Sequence, residues 1–495
     1  MSADTLLGVY EQQAARTPDG EALVYARAPY EGTVLTWREL LERSRDLAPK
    51  LREAGLGPGS RCAVVMIDHP DVLPGVLAVW RVGGVPVLLD SQWGRTTTRS
   101  VLRLSAVEAI FDVVRGTCEK VPPTGVDAPP LPGDTALLSY TSGSTSDPRG
   151  VVLSHSQLLH AYRAGGAALT GLLGQGRRRF GVTMRLSGLG ILGMNYLWPA
   201  VMGLPVTVLP ELSVASAKGY WSRLREHGVD VTYLVPPLVD LLTKMSVDPG
   251  AENGDTIACL SGGAPLFEQS QRAIQQNCGA VLLNVYGLTE VSFAAFFGDI
   301  GPDGLATHSI GRPATVEARL RSADGSIVVG PGEGELEVAG AAVSHGYYAN
   351  DTANKDLFRE GWVRTGDLAD RDASGRYSII GRHKDVVLRG AFTVYLHEIE
   401  EAANGHPGVL ESAAIRLQLP SGEDVGLLVR VAPGPDAETS TADLRKHLAL
   451  ELGNQRAPRR IVKTTEPLPR LAQHKIDRRA AYARWNAVNT PDAKE

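Results

Sequence analysis

Apolar and polar residues in the early part of the chain follow two different spacings. Apolar positions recur at helical spacing from Thr36 to Leu51, and Thr36 is a residue type that caps helix starts. A mostly apolar run from Arg61 to Ile67 predicts a short strand, residues 72–82 return to helical spacing, and residues 85–89 predict another strand. Strand, helix and strand at this spacing indicate a parallel sheet covered by helices.

The same alternation returns after residue 150. Residues 157–165 predict a helix and Val229–Val235 a strand. Two further apolar runs, Thr256–Leu266 and Ala280–Glu290, end in glycine-rich or polar loops. Because ligands of open α/β sheets bind at the carboxyl ends of the strands, these two loops are candidate binding elements.

The pattern changes from about Gly311 to Ile380. Short alternating runs such as Val316–Leu320 and Gly334–Val338 are separated by Gly, Asp and Pro turns. Short alternating runs between turns are typical of a small β-barrel, which we place at about residues 311–383.

A last segment begins near residue 384. It has helix patterns at 396–404 and 442–452 and strand patterns at 413–417 and 426–431. We therefore predict an α/β protein in which residues 1–383 form the N-terminal part and residues 384–495 form a separate, small α+β domain.

The composition limits the class of protein. A chain of 495 residues is too long for one hydrophobic core. Its 43% hydrophobic and 21% charged residues are ordinary for a soluble globular protein, and its net charge of -5 argues against nucleic acid as a partner. The first residues lack the basic start and apolar core of a signal peptide.

One uncharged run, Leu189–Pro210, approaches the length of a membrane span. Asn195, Pro199 and Pro205 interrupt it, so we predict a core helix followed by a buried strand and expect no membrane partner. The cysteines lack metal-ligand spacing and are interpreted as small buried residues of a cytoplasmic protein: Cys62, Cys118, Cys259 and Cys278.

One loop has the composition of an anion site. Small hydroxyl residues and glycine let backbone and side-chain donors converge on a phosphate, and the loop contains Thr141, Ser142, Gly143, Ser144, Thr145 and, after a turn, Arg149. It is not a P-loop, because no lysine closes it at the required place. The alternative is a plain surface loop, since the same residue types form turns.

Several motifs then follow in a characteristic order. They are the loop at 141–149, Ser261–Pro265, Asn284–Glu290, Gly361–Asp367, Gly381–Asp385 and Lys475–Arg478. This set resembles the adenylate-forming superfamily, which contains acyl- and aryl-CoA synthetases, adenylation domains of nonribosomal peptide synthetases, and luciferases.

The resemblance implies a reaction in two steps. A carboxylate attacks the α-phosphate of Mg-ATP, releases pyrophosphate and forms an acyl-AMP, and a thiol of CoA or of a carrier protein then displaces AMP. It also implies an N-terminal part built of two α/β subdomains and a β-barrel, followed by a mobile C-terminal domain. Two anions must approach each other, so the site needs positive charge that is already in place.

The resemblance assigns roles in catalysis. Lys475 matches the lysine that bridges the attacking carboxylate and the phosphate, Glu290 the acid that holds Mg²⁺, and Thr289 a donor to the α-phosphate. Lys475 follows Gln473 and His474 where the family has Ser-Gly. The alternatives are one more solvated lysine in a basic stretch, and a Thr-Glu pair that starts a helix.

Other residues would hold the nucleotide. The resemblance places them around adenine, the ribose and the phosphates: Gly262, Gly263, Ala264, Asn284, Tyr286, Gly287, Asp367 and Arg382. Tyr286 would stack on adenine, and Asp367 would accept both ribose hydroxyls beside Arg382. Otherwise Tyr286 is a core aromatic and Asp367 a turn residue. Lys384 falls on the family's hinge, and Arg149 replaces a more frequent lysine.

The resemblance places the acid pocket at Ser187, Tyr233, Ser261 and Gly263. The first wall, Thr183–Gly193, contains no acidic residue, and an unpaired buried ammonium is costly, so an α-amino acid is disfavoured. A histidine frequent near Ser187 in acyl-CoA synthetases is also absent. Arg185 could reach a polar group of the acid or form a surface salt bridge.

The leading hypothesis is a stand-alone ligase for a hydrophobic or aromatic carboxylic acid, with CoA or a separate carrier protein as acceptor. A second hypothesis keeps the ATP chemistry but forms an amide with an amine, or activates nitrite for an aromatic amine as a diazotase does. A third is a degenerate nucleotide-binding protein without catalysis.

Overall fold

The computed structural model describes most of the chain. The described residues are 4–122, 128–141, 148–174, 176, 178–245, 257–278, 280–301, 304–305, 309–382, 385–389, 392–419, 422–432, 440–453, 455–470 and 476–489.

The α-helices in these ranges are, in chain order, α1 (Leu6–Arg16), α2 (Trp37–Glu53), α3 (Val72–Arg81), α4 (Arg95–Leu104), α5 (His155–Leu173), α6 (Leu189–Leu192), α7 (Trp198–Met202), α8 (Val214–Ala217), α9 (Tyr220–Glu226), α10 (Pro236–Met245), α11 (Glu268–Cys278), α12 (Asp351–Leu357), α13 (Leu396–Asn404), α14 (Thr441–Leu452) and α15 (Arg478–Asn489).

The strands are β1 (Glu21–Tyr25), β2 (Val34–Thr36), β3 (Arg61–Met66), β4 (Val85–Asp90), β5 (Ala109–Asp112), β6 (Thr117–Lys120), β7 (Thr135–Thr141), β8 (Arg149–Ser154), β9 (Phe180–Val182), β10 (Val206–Val208), β11 (Val231–Leu234), β12 (Ala258–Gly262), β13 (Val281–Tyr286), β14 (Phe296–Phe297), β15 (Ile300–Gly301), β16 (Gly304–Leu305), β17 (Arg312–Pro313), β18 (Glu317–Arg321), β19 (Gly332–Ala339), β20 (Phe358–Arg359), β21 (Trp362–Arg371), β22 (Tyr377–Arg382), β23 (Val386–Arg389), β24 (Phe392–Tyr395), β25 (Glu411–Leu419), β26 (Gly422–Arg430) and β27 (Arg460–Thr464).

Internal contacts divide the chain into two compact units. The first unit contains residues 1–319 and 337–365, and the second contains residues 320–336 and 366–495. The second unit therefore includes part of the stretch assigned above to a barrel. The predicted domain boundary at 383/384 stays a prediction.

The first unit contains a larger and a smaller sheet. The larger sheet has the order β17-β14-β13-β12-β11-β9-β10-β1-β2, and its strands from β13 to β1 are parallel neighbours. The smaller sheet has the order β6-β5-β3-β4-β7-β8, with β3 parallel to β4 and β5. The prediction of an α/β fold with parallel sheets is confirmed.

Local sequence chemistry starts two of the helices. Thr36 Oγ1 accepts from Glu39 N at 3.2 Å and Glu39 Oε2 accepts from Thr36 N at 2.8 Å, so a capping box begins α2 as the pattern predicted. Ser154 and Gln157 form the same box at the start of α5, directly after β8. Helix α5 therefore starts at a fixed point beside the strand that carries Arg149.

Helix α5 is longer than predicted. The pattern ended it at Gly165, but the helix continues to Leu173. A Cβ at Gly165 would lie 3.2 Å from the Phe297 ring, and one at Gly166 3.2 Å from Met202 Cγ. These glycines allow close packing of α5 instead of ending it.

The uncharged run at 189–210 is a broken core helix and a strand. Helix α6 continues through a π-helical turn, Gly193–Leu197, into α7, and β10 follows. The predicted core helix and buried strand are thus confirmed. Within the described part of the chain, no helix is long and apolar enough to cross a membrane.

The stretch predicted as a barrel is mostly β-structure. It contains β17–β22, with α12 inserted before β20. In the first unit β20 pairs with the start of β21, and in the second unit the rest of β21 pairs with β22. Closure of these strands into a barrel stays a prediction.

The rest of the second unit is α+β as predicted. Strands β25, β26 and β27 form one sheet, and β23 pairs with β24. Helices α13 and α14 bury Leu396, Ile399 and Leu444 against Leu427 of β26. Helix α13 spans residues 396–404, as the apolar spacing indicated.

Candidate active site

The carboxyl ends of neighbouring parallel strands bring several predicted residues to one edge of the larger sheet. Leu234 of β11 pairs with Ser261 of β12, which pairs with Asn284 of β13. Tyr233 precedes Leu234, and the loop with Ser187 follows β9, the next strand in the sheet. This edge is where open α/β sheets bind ligands.

Tyr233, Ser261 and Gly262 lie together at this edge. The Tyr233 hydroxyl donates to the Gly262 carbonyl at 3.1 Å, and burial raises the pKa of Tyr233 well above its ordinary value, so the phenol stays protonated. The next residue, Gly263, is exposed. Ser261 is fully buried and its Oγ has no hydrogen-bond partner among the described residues. A buried hydroxyl without a partner is what a polar ligand group can satisfy.

The side chains after β13 are partly engaged by the protein. Asn284 Nδ2 donates to the Ser309 carbonyl at 3.3 Å, and the half-buried Tyr286 ring packs edge-to-face on Phe296 with centroids 5.7 Å apart. Tyr286 thus has an aromatic neighbour of the kind expected for a core residue, and its stacking on adenine stays a prediction.

A strained turn carries Thr289 and Glu290. Both lie in a 3₁₀ turn, Thr289–Val291, that no described side chain caps, so the interpretation of Thr-Glu as a helix cap is not supported. Ser292 and Phe293 follow with φ of 63° and 129°, a region that residues other than glycine rarely adopt. Gly287 is required before the turn, because a Cβ there would lie 1.5 Å from the Phe293 carbonyl oxygen.

Glu290 and Arg149 contact the same tyrosine. The Tyr347 hydroxyl donates to Glu290 Oε1 at 2.6 Å, and the Arg149 guanidinium carbon lies 5.3 Å from the centre of the Tyr347 ring. Burial and the adjacent Glu290 carboxylate raise the pKa of Tyr347 well above its ordinary value, so the phenol is the donor. The structure thus brings together the predicted acid and the predicted cation of the site.

Sequence reasoning missed Tyr347. It lies in the stretch interpreted as turns and short strands, and neither of its partners is close in sequence. The contact that brings Tyr347 to the site is an isolated antiparallel β-bridge between Tyr347 and Val151 of β8.

In the second unit, Asp367 and Arg382 form an ion pair. They face each other across β21 and β22, and Arg382 Nε lies 2.6 Å from Asp367 Oδ1. Asp367 is almost fully buried, whereas Arg382 is partly exposed. The two residues are therefore adjacent in the structure, as the resemblance predicted.

Some predicted residues lie outside the described ranges. They are Ser142, Gly143, Ser144, Thr145, Lys384 and Lys475. Thr141 is described by its backbone, which pairs with Arg149 across the antiparallel strands β7 and β8. The predicted phosphate loop therefore joins two strands of the smaller sheet.

The wall around Ser187 is anchored by a residue that the sequence did not single out. Asp68 Oδ1 accepts from Leu186 N at 3.0 Å, and Asp68 Oδ2 lies 2.5 Å from Arg27 Nη2. Burial raises the pKa of the Asp68 carboxyl. The Asp68 carboxylate therefore contacts the backbone of the wall at residues 183–193. This carboxylate is already paired with Arg27 and with the Leu186 N–H. Ser187 itself is buried.

Arg27 and Asp68 also line a cavity of about 250 Å³. It is lined by Tyr25, Arg27, Ala28, Pro29, Tyr30, Asp68 and Glu211. Arg185 pairs with Glu211 at 3.7 Å, and both side chains are exposed. Of the two alternatives for Arg185, the structure thus has the surface salt bridge.

Comparison with known proteins agrees with this geometry. The family model described as AMP-binding enzyme matches residues 10–348. Sulfoacetate–CoA ligase of Cupriavidus necator is 30% identical over 96% of this chain and 97% of its own length, and feruloyl-CoA synthase of Amycolatopsis sp is 29% identical over 90% and 93%. ATP-bound MatB of Rhodopseudomonas palustris superimposes with a TM-score of 0.82 at 22% identity, over 98% of this chain and 100% of that one.

The chain belongs to the AMP-binding enzyme family, which is the adenylate-forming superfamily that the motifs resembled. It is an adenylate-forming ligase of the acyl-CoA ligase type. The relatives span nearly its whole length, so the likeness covers both units.

Proposed function

We propose that the protein activates a hydrophobic or aromatic carboxylic acid as its acyl-AMP and transfers the acyl group to the thiol of CoA. ATP is the second substrate, and pyrophosphate and AMP are released. A carrier-protein thiol is the alternative acceptor. The observation that carries the choice of acid is the wall at residues 183–193, which has no acidic side chain.

The surroundings of this wall support an acid without an ammonium group. Met184, Leu186, Leu189 and Ile191 are buried in it, and Asp68 is already paired with Arg27. An α-ammonium group placed there would lose its hydration, and among the described residues of this wall no free carboxylate would compensate. The feruloyl-CoA synthase relative, named for an aromatic acid, supports the same class.

The donor set at Glu290 fits Mg²⁺. Mg²⁺ favours carboxylate oxygen and is usually held by one or two carboxylates together with substrate phosphates. Glu290 supplies such a carboxylate, fixed by the Tyr347 hydroxyl. Bound there with ATP, the metal would neutralise phosphate charge. Thr289 would donate to the α-phosphate from the same turn, and Arg149 would contact the outer phosphates.

The remaining roles follow the family motifs. Lys475 would supply positive charge to the reacting carboxylate and α-phosphate, and Asp367 would hold the ribose hydroxyls beside Arg382. Gly262, Gly263, Ala264, Asn284 and Tyr286 would surround the adenine, and Lys384 would be the hinge of a mobile C-terminal domain. The Ser261 hydroxyl, which has no partner in the described part of the chain, supports a polar ligand group at the end of β12.

ATP–pyrophosphate exchange with a panel of acids tests the proposal. The panel contains aryl, short-chain and medium-chain carboxylic acids, sulfoacetate, and α-amino acids. We expect exchange with aryl or hydrophobic acids and none with amino acids. Exchange with no acid of the panel, or with amino acids alone, would refute the proposal.

Product mass spectrometry then identifies the acceptor. Three reactions are compared: acid with CoA, acid with an amine, and nitrite with an arylamine. An acyl-CoA product supports the proposal, whereas an amide or a diazotised product would assign the enzyme to the other two reactions. ATP binding without pyrophosphate release in every reaction would favour a non-catalytic protein.

A further inference from the structure

A single side chain, Tyr347, contacts the two charged residues of the proposed phosphate site. Its hydroxyl donates to Glu290 Oε1 at 2.6 Å, and its ring lies under the Arg149 guanidinium at 5.3 Å. The Arg149 side chain also interacts with the Tyr347 hydroxyl, so both charged residues meet at this phenol.

The backbone of Tyr347 is held on both sides. Its N–H donates to Asn354 Oδ1 at 2.7 Å, and Asn354 Nδ2 donates to the Tyr347 carbonyl at 2.9 Å. Gly346 allows this contact, because a Cβ at that position would lie 2.5 Å from Asn354 Oδ1. Helix α12, whose start Asn350 caps, fixes Asn354. Tyr347 is therefore anchored independently of Glu290 and Arg149.

The residues around Tyr347 also join the two elements that carry its partners. Val152 N donates to the Gly346 carbonyl at 2.9 Å, and Tyr348 N donates to the Gly150 carbonyl at 2.7 Å, which ties residues 346–348 to β8. Ser344 N donates to the Glu290 carbonyl at 2.8 Å. Residues 344–348 therefore fix the strand of Arg149 relative to the turn of Glu290.

We propose that Tyr347 is a positioning residue that orients the Glu290 carboxylate for the divalent metal. The proposal rests on the metal role proposed above for Glu290. A hydrogen bond from a neighbouring side chain fixes a metal-binding carboxylate in one orientation, and loss of such a partner lowers metal affinity by about 10-fold or more.

Two substitutions separate the hydroxyl from the ring. Tyr347→Phe keeps the ring beside Arg149 and removes the hydroxyl that donates to Glu290, and Tyr347→Leu removes both the ring and the hydroxyl. We expect Tyr347→Phe to weaken metal binding by about 10-fold while the KM for ATP at saturating Mg²⁺ is unchanged. Tyr347→Leu should weaken metal binding further and also raise the KM for ATP.

The metal readout does not depend on turnover. Mn²⁺ affinity is measured by electron paramagnetic resonance with the full-length enzyme and a saturating non-hydrolysable ATP analogue. Tyr348→Phe is the matched control, because the Tyr348 hydroxyl contacts the Pro129 carbonyl and Arg61. Thermal unfolding of each variant verifies that it is folded.

The benchmark variant Glu290→Gln separates the two proposals. If Glu290→Gln weakens Mn²⁺ binding and Tyr347→Phe binds like the wild type, the inference about Tyr347 is refuted and the role of Glu290 stands. If Glu290→Gln binds Mn²⁺ like the wild type, the metal role of Glu290 is refuted, and the inference with it. Weakened Mn²⁺ binding in Tyr348→Phe as well would refute a specific role of Tyr347.

Discussion

Arg382 Nε lies 2.6 Å from Oδ1 of Asp367, and this carboxylate is only 1% exposed. The pair joins a buried anion on β21 to a cation on β22 that is 44% exposed. Water solvates the exposed arginine but hardly reaches the carboxylate. The two members of the ion pair therefore do not contribute equally to the free energy of unfolding.

The first prediction concerns this pair. Arg382→Ala removes a cation from a buried carboxylate, and we expect the free energy of unfolding to fall by about 1–2 kcal/mol, since the exposed arginine limits the effect. Urea unfolding measures this. Arg272→Ala, which breaks the exposed pair with Glu268 on α11, is the control and should change stability by less than about 0.5 kcal/mol. Equal losses in both variants would contradict the prediction.

The second prediction concerns the proposed catalytic lysine. Lys475→Ala should lower the rate of acyl-AMP formation by about 100-fold or more, because a cation that stabilises the charge of the transition state is lost. ATP–pyrophosphate exchange measures this rate, and circular dichroism verifies the fold. The exposed Lys446 of α14 is the control, and Lys446→Ala should leave the rate unchanged. Full activity of Lys475→Ala would exclude the role given to it.

The third prediction concerns the turn before Glu290. An alanine Cβ at Gly287 would lie 1.5 Å from the Phe293 carbonyl oxygen, so the backbone of the turn must move. We expect Gly287→Ala to cost about 2–3 kcal/mol of unfolding free energy and to lower activity by displacing Thr289 and Glu290. Chemical unfolding and pyrophosphate exchange measure the two effects.

A matched glycine provides the control for Gly287→Ala. Gly171 lies in α5, and a Cβ there would meet no atom of the described residues within 4 Å. Gly171→Ala should stabilise the protein by about 0.5–1 kcal/mol, because alanine favours the helix. A turn that tolerates Gly287→Ala as well as the helix tolerates Gly171→Ala would disprove the close backbone approach.

The fourth prediction concerns pH. Burial lowers the pKa of His155 from 6.5 to about 4, and its Nδ1 accepts from Leu6 N at 3.2 Å, which requires the neutral ring. Between these two pH values the unfolded chain binds a proton that the folded chain does not. This contribution to stability is therefore complete above pH 6.5 and is lost progressively as the pH falls toward 4, by about 3 kcal/mol in all.

Unfolding free energies measured from pH 7.5 to 4.5 test this assignment. His155→Asn keeps an acceptor in place of Nδ1 but cannot be protonated, so it should reduce the slope of stability against pH. The exposed His160 on the same helix is the control, and His160→Asn should retain the wild-type slope. An identical slope in all three proteins would rule out His155 as the source.

The sequence by itself determined the family, the α/β class and the positions of several elements. Helix α13 and the strands β3 and β4 were predicted because apolar spacing is a local property that a single element records. The capping residue Thr36 gave the start of α2 for the same reason. Motifs in a characteristic order identified Glu290, Asp367 and Arg382 as candidates, since the order and spacing of such motifs can be recognised without knowledge of the contacts.

Only the tertiary structure decided which of these residues meet. Tyr347 joins Glu290 to Arg149, and Asp68 holds the wall at Leu186, across separations along the chain at which a sequence pattern has no signal. The close packing of α5 at Gly165 likewise involves Phe297, a residue of a distant strand. Such contacts follow from how strands pair and helices pack, and the free energy that selects them belongs to the whole core and not to any segment.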